Sequence, residues 1–339
     1  MISLGKILVV ATMVISFAVA EEAYVAKRGN SVSIGNASLE RTLSFEDGDI
    51  KTVEFINKLS GKHYSVRSKE LRLSVVFAGF GPAVGKHQNG ENPSVLAPTD
   101  FEYKGMQQQD VPGGGKRLSF QFRLQRFETD LSLTIHYQIE AGDFYLRKWI
   151  ELSDSADAIH FLDYIDLEVL TCESSSFSHG EFGQPILGND FFIGVEYPGV
   201  ENKLRGKDVS CGYVVGKKIA KTVLESEKAV FGVAPSAGSL EHHFLSYINR
   251  IKAGKTRPFL LYNSWYDMRH PSRVNAAENV MNEPNALNRA ASLRRQLSAH
   301  GGAVLDAFVL DDGWDNFYSI WDIDTTTFPQ RFTPLSHSL

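Results

Sequence analysis

The sequence predicts a multi-domain β plus α/β chain, an antiparallel β-sandwich followed by a parallel βαβ unit, and three observations carry that prediction. From about Tyr24 to Pro235, short runs alternate apolar and polar residues at a period of two, as half-buried strands require. After Pro235 the period lengthens to that of a helix. From Pro258 two continuous apolar runs flank an amphipathic helix, the pattern of parallel strands joined by a right-handed crossover.

The chain begins with a distinct segment. Lys6 is the only charged residue before Glu21, and Ile7 to Ala20 is a largely apolar run ending Ala18-Val19-Ala20. A positive start, an apolar middle and an Ala-x-Ala end describe a secretory signal peptide over 1–20, cleaved after Ala20. The run falls short of the roughly 20 residues that span a bilayer. The expectation is a secreted or periplasmic protein with no membrane association after cleavage. Without Lys6 the formal charge moves from −5 to −6, a mild acidity that argues against nucleic acid as the partner. With 43% apolar and 11% aromatic residues, the composition is that of a well-cored globular protein. Cys172 and Cys211 are the only cysteines. In an exported protein they could form one disulfide or stand as two buried thiols, and no spacing resembles a zinc site.

Within 24–235, Leu71-Arg72-Leu73-Ser74-Val75, Ser119 to Leu124 and Leu131 to Ile135 alternate most clearly. Turn clusters separate such runs: Asp47-Gly48-Asp49, Ser60-Gly61-Lys62, Val111 to Gly115 and Ala141-Gly142-Asp143. Many short antiparallel strands at this spacing imply a large sandwich. The Gly113 to Gly115 run is read as a turn, because no Lys-Ser/Thr follows to make a phosphate loop. Leu240, Phe244, Tyr247, Ile248 and Ile251 then line one face of a helix closed by Gly254, and 236–254 is expected to act as a helical linker. His242 and His243 sit about 100° apart on that helix, too divergent to share a metal, and are read as facing solvent.

The last segment, 255–339, is the most regular. Pro258 to Tyr262 reads as a buried strand. Ala286, Ala290, Leu293 and Leu297 line a helix from about Pro284 to Gly301, and Val304 to Leu310 is a second buried strand. In a (β/α)₈ barrel, residues at the C-terminal ends of the strands form the active site. Here those ends run out into Asn263-Ser264-Trp265 and Asp311-Asp312-Gly313-Trp314. Carboxylates accept hydrogen bonds from pairs of sugar hydroxyls, and indole faces cover the C–H surface of a pyranose. The alternative is a turn with loop-capping aspartates. Adjacent side chains at a strand end diverge, so Asp311 and Asp312 suit a substrate clamp better than the two carboxyl groups that flank a scissile glycosidic bond.

Leu260 to Trp265, Val309 to Trp314, and Trp321-Asp322-Ile323-Asp324 with Phe328-Pro329 resemble the opening of the catalytic barrel in melibiase-type α-galactosidases, glycoside hydrolase family thirty-six. That family places a galactose-mutarotase-like supersandwich ahead of its TIM barrel. Gly142 to Trp149, Gly183-Gln184-Pro185 and Gly194 to Pro198 look like that sandwich in a divergent branch. The resemblance implies that Asp311 and Asp312 hold hydroxyls of the −1 sugar, that Trp265 and Trp314 wall the pocket, and that no metal or organic cofactor is needed. It also implies a retaining mechanism on α-galactosides or related α-linked sugars, through two aspartates from later strands.

Neither of the family's catalytic motifs, a Lys-x-Asp pattern and a Gly-rich Asp segment, occurs here. From Lys255 to Leu339 there are 85 residues, against about 250 for a whole barrel. The expectation is an N-terminal fragment holding two βα units of the barrel, with no catalytic residue in this chain and no turnover by it. Two readings stand beside it: a non-catalytic carbohydrate-binding protein, and another hydrolase or transglycosidase of the same barrel clan.

Overall fold

The computed structural model describes residues 22–46, 49–77, 94–126, 129–156 and 160–339. The expected signal peptide over 1–20 and the Asp47-Gly48 part of one expected turn lie outside these residues. The chain divides into two units, 1–251 and 252–339.

The first unit is built from three antiparallel sheets, as a β-sandwich. Its N-terminal sheet runs in chain order through Tyr24–Arg28, Ser31–Gly35, Leu39–Glu46, Asp49–Asn57 and Lys62–Ser65. A nine-stranded sheet centres on Thr129–Ile139, Tyr145–Asp154, Ala229–Val233 and Phe191–Val195. A third sheet orders Glu201–Arg205, Asp208–Ile219, His160–Thr171, Arg67–Val76 and Ser94–Leu96. Alternation accounts for most of these strands: Leu39 and Leu43 are buried while Glu40, Thr42 and Ser44 are only partly covered. Phe191–Val195 and Ala229–Val233 are buried at every position, as central strands covered on both faces must be. Gly113 and Gly114, at φ +80° and +71°, turn the hairpin that joins Glu102–Val111 to Gly115–Arg126.

Inside the sandwich lies a fully buried ionic cluster that joins all three sheets. Arg41 of the N-terminal sheet donates through Nη1 to Glu168 Oε1 at 2.5 Å and through Nη2 to Glu70 Oε2 at 3.0 Å. Its Nε donates to Thr52 Oγ1 at 2.8 Å. Lys148, from the nine-stranded sheet, donates to Glu70 Oε2 at 2.9 Å and to the Glu70 carbonyl at 2.8 Å, and lies 3.4 Å from Glu168. Tyr137 also donates to Glu70. Two cations balance two carboxylates, so no net charge is buried. Glu70 takes φ +57° where the pairing of Arg67–Val76 with His160–Thr171 shifts register. Burial would raise its pKa, but Lys148 and Arg41 outweigh burial and hold the carboxyl well below the usual carboxylate range.

The first helix, α1 (Leu240–Ile251), belongs to this unit and is no free linker. Leu240 and Tyr247 are buried. Phe244 packs on Phe192 at 5.2 Å between ring centroids, and Tyr247 donates to Glu196 Oε1 at 2.8 Å. The amphipathic face was legible; its partner, the aromatic end of the large sheet, was not. His243 is half-buried, edge-on to Phe144 at 5.3 Å, whereas His242 faces solvent. Cys172 and Cys211 are both free and buried. Cys211 stands opposite Glu168, while the amide of Cys172 bonds Lys207 beyond the end of the same strand pair. Four residues of strand, at about 3.3 Å each, keep them beyond the roughly 7 Å that a disulfide allows, so the bridge left open by the sequence is not formed.

In the second unit, α2 (Glu283–Ala299) follows an Asn282 cap that accepts from Asn285 N at 2.9 Å, and it buries Ala286 and Ala290. Two strands, Leu261–Asn263 and Ala307–Val309, pair in parallel on either side of it in sequence. They are shorter and more open than the apolar runs suggest: Phe259, Leu260 and Val304 are 55%, 42% and 81% exposed. Among the described residues each strand pairs only with the other. A small core of Met268, Met281, Ala286, Ala290, Phe328 and Leu335 completes the unit, with the short α3 (Thr333–Ser338) at its end.

Replacing Glu70 by Gln should remove about 3–5 kcal/mol from the first unit, because it leaves buried cations short of a partner. Urea unfolding followed by tryptophan fluorescence measures this, and an unchanged midpoint would mean that the cluster is energetically neutral. A second expectation concerns pH. Burial pushes the pKa of His136 down, against the pull of Glu151; the folded ring therefore stays neutral while the unfolded ring takes a proton below about pH 6.5. Stability is thus fully present above that pH and declines below it. Glu70, held low, adds a loss through the acid range below its ordinary 4.5. A His136→Gln variant should flatten the upper part of that decline in melting-temperature scans from pH 7.5 to 5.

Candidate functional site

The polar strand ends of the second unit meet. Parallel pairing sets Leu261 against Ala307 and Asn263 against Val309, so both strands deliver their C-terminal residues to one edge. Asp306 fixes the other end of the pair: its carboxylate accepts from Leu260 N at 2.8 Å and from Arg257. Tyr262 and Phe308 pack across the pair with tilted rings, 4.6 Å between centroids.

At the shared edge, Asn263 acts twice. Its Oδ1 accepts from Trp265 N at 2.8 Å, capping a 3₁₀ turn over Ser264–Tyr266, and its Nδ2 donates to Asp311 Oδ2 at 3.2 Å. The Ser264 hydroxyl, fully buried, accepts from Asp311 N at 2.8 Å. Asp311 Oδ1 accepts from Asp312 N at 2.9 Å. Both oxygens of Asp311 are therefore engaged. Asp312 differs. Its side chain is 36% exposed and Arg273 lies 3.6 Å from its Oδ2, but that oxygen is itself buried and takes no hydrogen bond among the described residues.

Gly313 turns the chain at φ +106°. A Cβ there would lie 2.4 Å from His270 N and 2.7 Å from its Cα, so neither the backbone angle nor the space admits a side chain. Beyond it the chain doubles back: Asp324 N donates to Trp314 O at 3.0 Å and Asn316 N to Asp322 O at 2.8 Å.

The two indoles have different surroundings. Trp265 is half-buried, with the Arg269 guanidinium 4.4 Å over its ring while Arg269 Nε donates to the Trp265 carbonyl. Trp314 leans on Phe332 at 5.4 Å, at the margin of the small core. Tyr262 donates to Asp267 at 2.8 Å, and Arg289 of α2 donates to the same carboxylate at 2.7 Å; burial and Asp267 push the Tyr262 hydroxyl up.

The structure thus brings together Asn263, Asp311 and Asp312 and sets Trp265 one turn away. Sequence reasoning missed Ser264 as a buried acceptor, and Arg269 and Arg273, which cover Trp265 and face Asp312. Two arginines within the Met268 to Arg273 loop were the available signal, but loop cations are too common to single out. Among the described residues, no three His, Cys, Asp or Glu side chains cluster as a metal site would require.

Several solved structures are similar to this chain. The GH36 α-galactosidase AgaB from Geobacillus stearothermophilus is 12% identical, with a TM-score of 0.49 over 93% of this chain and 55% of its own. The α-galactosidase from Lactobacillus brevis gives 12% identity and 0.49 over 91% and 53%. The α-N-acetylgalactosaminidase NagBb from Bifidobacterium bifidum gives 11% and 0.43 over 87% and 54%. The chain spans about half the length of the structures it matches. No family profile and no curated protein matches it.

Gly313→Ala should loosen the Asp311 to Trp314 turn by about 1–3 kcal/mol, the usual cost of a strained backbone angle. Hydrogen exchange of amides 310–316 should rise in the variant while exchange in the first unit stays unchanged. Equal protection of the turn in both proteins would show that His270 moves aside freely.

Proposed function

We propose that this chain is part of a glycoside hydrolase acting on α-galactosides or related α-linked sugars, and that Asp312 and Asp311 form its clamp for sugar hydroxyls. The observation that carries the reading is the unequal state of the two carboxylates at the meeting of two parallel strand ends. Asp311 is held by Asn263 and its own turn, and the buried Oδ2 of Asp312 takes no hydrogen bond among the described residues, with Arg273 3.6 Å away. The exposed part of that carboxylate accepts a hydroxyl proton from a pyranose, a charge-assisted contact. Trp265 offers an adjacent apolar surface for the ring's C–H face.

Bond cleavage in this reading runs through a glycosyl-aspartate intermediate, with a second carboxyl as acid and then base. Neither family motif for those two groups lies within the 339 residues. The chain itself is therefore expected to leave an aryl α-galactoside uncleaved, and turnover lost on Asp312→Asn substitution would overturn that division of roles.

In a protein extended to a complete barrel, Asp312→Ala should lower kcat/KM by roughly 10- to 150-fold, from about 1.5–3 kcal/mol for a charge-assisted hydrogen bond. The melting temperature should stay unchanged. If Asp312 instead merely braces the turn, the melting temperature falls and kcat/KM per folded molecule holds. A glycan-binding protein without catalysis gives weakened sugar binding in the variant and no turnover in either protein.

A further inference from the structure

A groove of about 880 Å³ opens on the first unit where strand Asp49–Asn57 approaches the sheet containing Arg67–Val76, His160–Thr171 and Glu201–Arg205. That volume lies within the range of about 300–1,000 Å³ usual for small-ligand sites. Six cations line it: Lys51, Arg67, Lys69, Arg72, Lys203 and Arg205. The single carboxylate in the lining, Asp208, accepts from Thr171 Oγ1 at 2.5 Å. Val66, Leu170 and Val209 make a buried apolar floor, with the hydroxyls of Thr171 and Ser210 beside it; the Ser68 hydroxyl is turned in to Glu70.

The cations are not all committed. Arg67 pairs with Glu173 at 2.8 Å, both side chains being mostly exposed, and Arg72 pairs with Asp166 at 2.9 Å. Lys51 and Lys203 pair with Asp49 and Glu201 two residues away along their own strands. Apart from Arg72, whose partner Asp166 is buried, these pairs are exposed, weak and exchange readily for another anion. Lys69 and Arg205 are exposed and have no carboxylate partner among the described residues.

The lining also excludes some ligands. It contains no Phe, Tyr, Trp or His, so it offers no platform on which a nucleobase could stack and no aromatic face for a neutral sugar. Affinity has to come from charge, with hydroxyl partners and an apolar strip beneath. We propose that this groove binds a short anionic oligosaccharide, carboxylated or sulfated, anchored by Lys69 and Arg205. The sugar's acid groups replace the exposed carboxylates on the rim, and its hydroxyls meet Thr171 and Ser210. This site is independent of Asp311 and Asp312, so either reading can fail alone.

The test is calorimetric titration of the full 339-residue chain at low salt. The probes are a hexagalacturonate, a sulfated hexasaccharide and a neutral maltohexaose. Binding of either acidic sugar, weakened at 300 mM salt and absent for the neutral one, is the expected result; the tighter of the two identifies the acid group. The double variant Lys69→Gln, Arg205→Gln should weaken binding about 100-fold, roughly tenfold for each charge-assisted contact. The charge-preserving pair Lys69→Arg, Arg205→Lys should retain most of it. No binding of either acidic sugar overturns the proposal, as does undiminished binding by the Gln pair. Tighter binding of a hexaglutamate peptide or a hexanucleotide also overturns it, by assigning the groove to another class of ligand.

Discussion

The first unit depends on a constraint that apolar packing alone does not impose: four ionised side chains are buried together, and none can be there without the others. An isolated buried ion costs several kcal/mol. Arg41, Lys148, Glu70 and Glu168 offset that cost only when the three sheets bring them within hydrogen-bonding distance. Apolar contacts such as Phe55 on Phe231, stacked at 4.0 Å, hold the sheets together without fixing how they slide. The guanidinium fork reaches both oxygens of Glu168, and that geometry permits little sliding. The cluster is therefore weak as a source of net stability and strong as a specification of one arrangement. Cys211 lies within its field; burial, Glu168 and Asp166 push that thiol up, which leaves it neutral and unreactive.

The same strands shape the outer surface. Side chains alternate across a strand, so turning Ser68 and Glu70 inward turns Arg67 and Lys69 outward. Thr52, committed to Arg41, lies between Lys51 and Val53, which face the groove. The backbone beneath the basic groove is thus held by the ionic cluster behind it. A groove whose cations stand on braced strands loses little order when a ligand arrives, and that favours binding.

Much of the sandwich was legible because alternation is a strong signal. Residues 71–75, 119–124 and 131–135 all lie in strands, and the Gly-rich run at 113–115 turns a hairpin. The ionic cluster left a trace in the same pattern. Arg41 is in phase with Leu39 and Leu43, and Lys148 with Leu146 and Ile150, so each cation sits on an inward-facing position. The carboxylates were harder to place, since the chain shifts register at both Glu70 and Glu168. A bulge breaks the period on which the reading rests. Helix α1 was recognisable from its stripe, but a stripe does not name the surface that covers it.

The second unit shows where apolar content misleads. Pro258 to Tyr262 and Val304 to Leu310 have the composition of buried strands, yet only three residues of each pair. Parallel strands gain their burial from neighbours on both sides, and composition says nothing of how many neighbours are present. The positions of the carboxylates do not rest on strand length. Asn263 caps its own turn while holding Asp311, Ser264 receives the amide of Asp311, and Gly313 presses against His270 with no room for a Cβ. The run Asn-Ser-Trp and the run Asp-Asp-Gly-Trp thus encode an interlock of backbone and side-chain hydrogen bonds before they encode any surface for a ligand. Within that interlock the two adjacent acids divide their labour. Asp311 is spent on holding the turn, whereas Asp312 has one oxygen, Oδ2, buried without a hydrogen bond among the described residues and 3.6 Å from Arg273, so only the exposed part of its carboxylate is left over from the interlock.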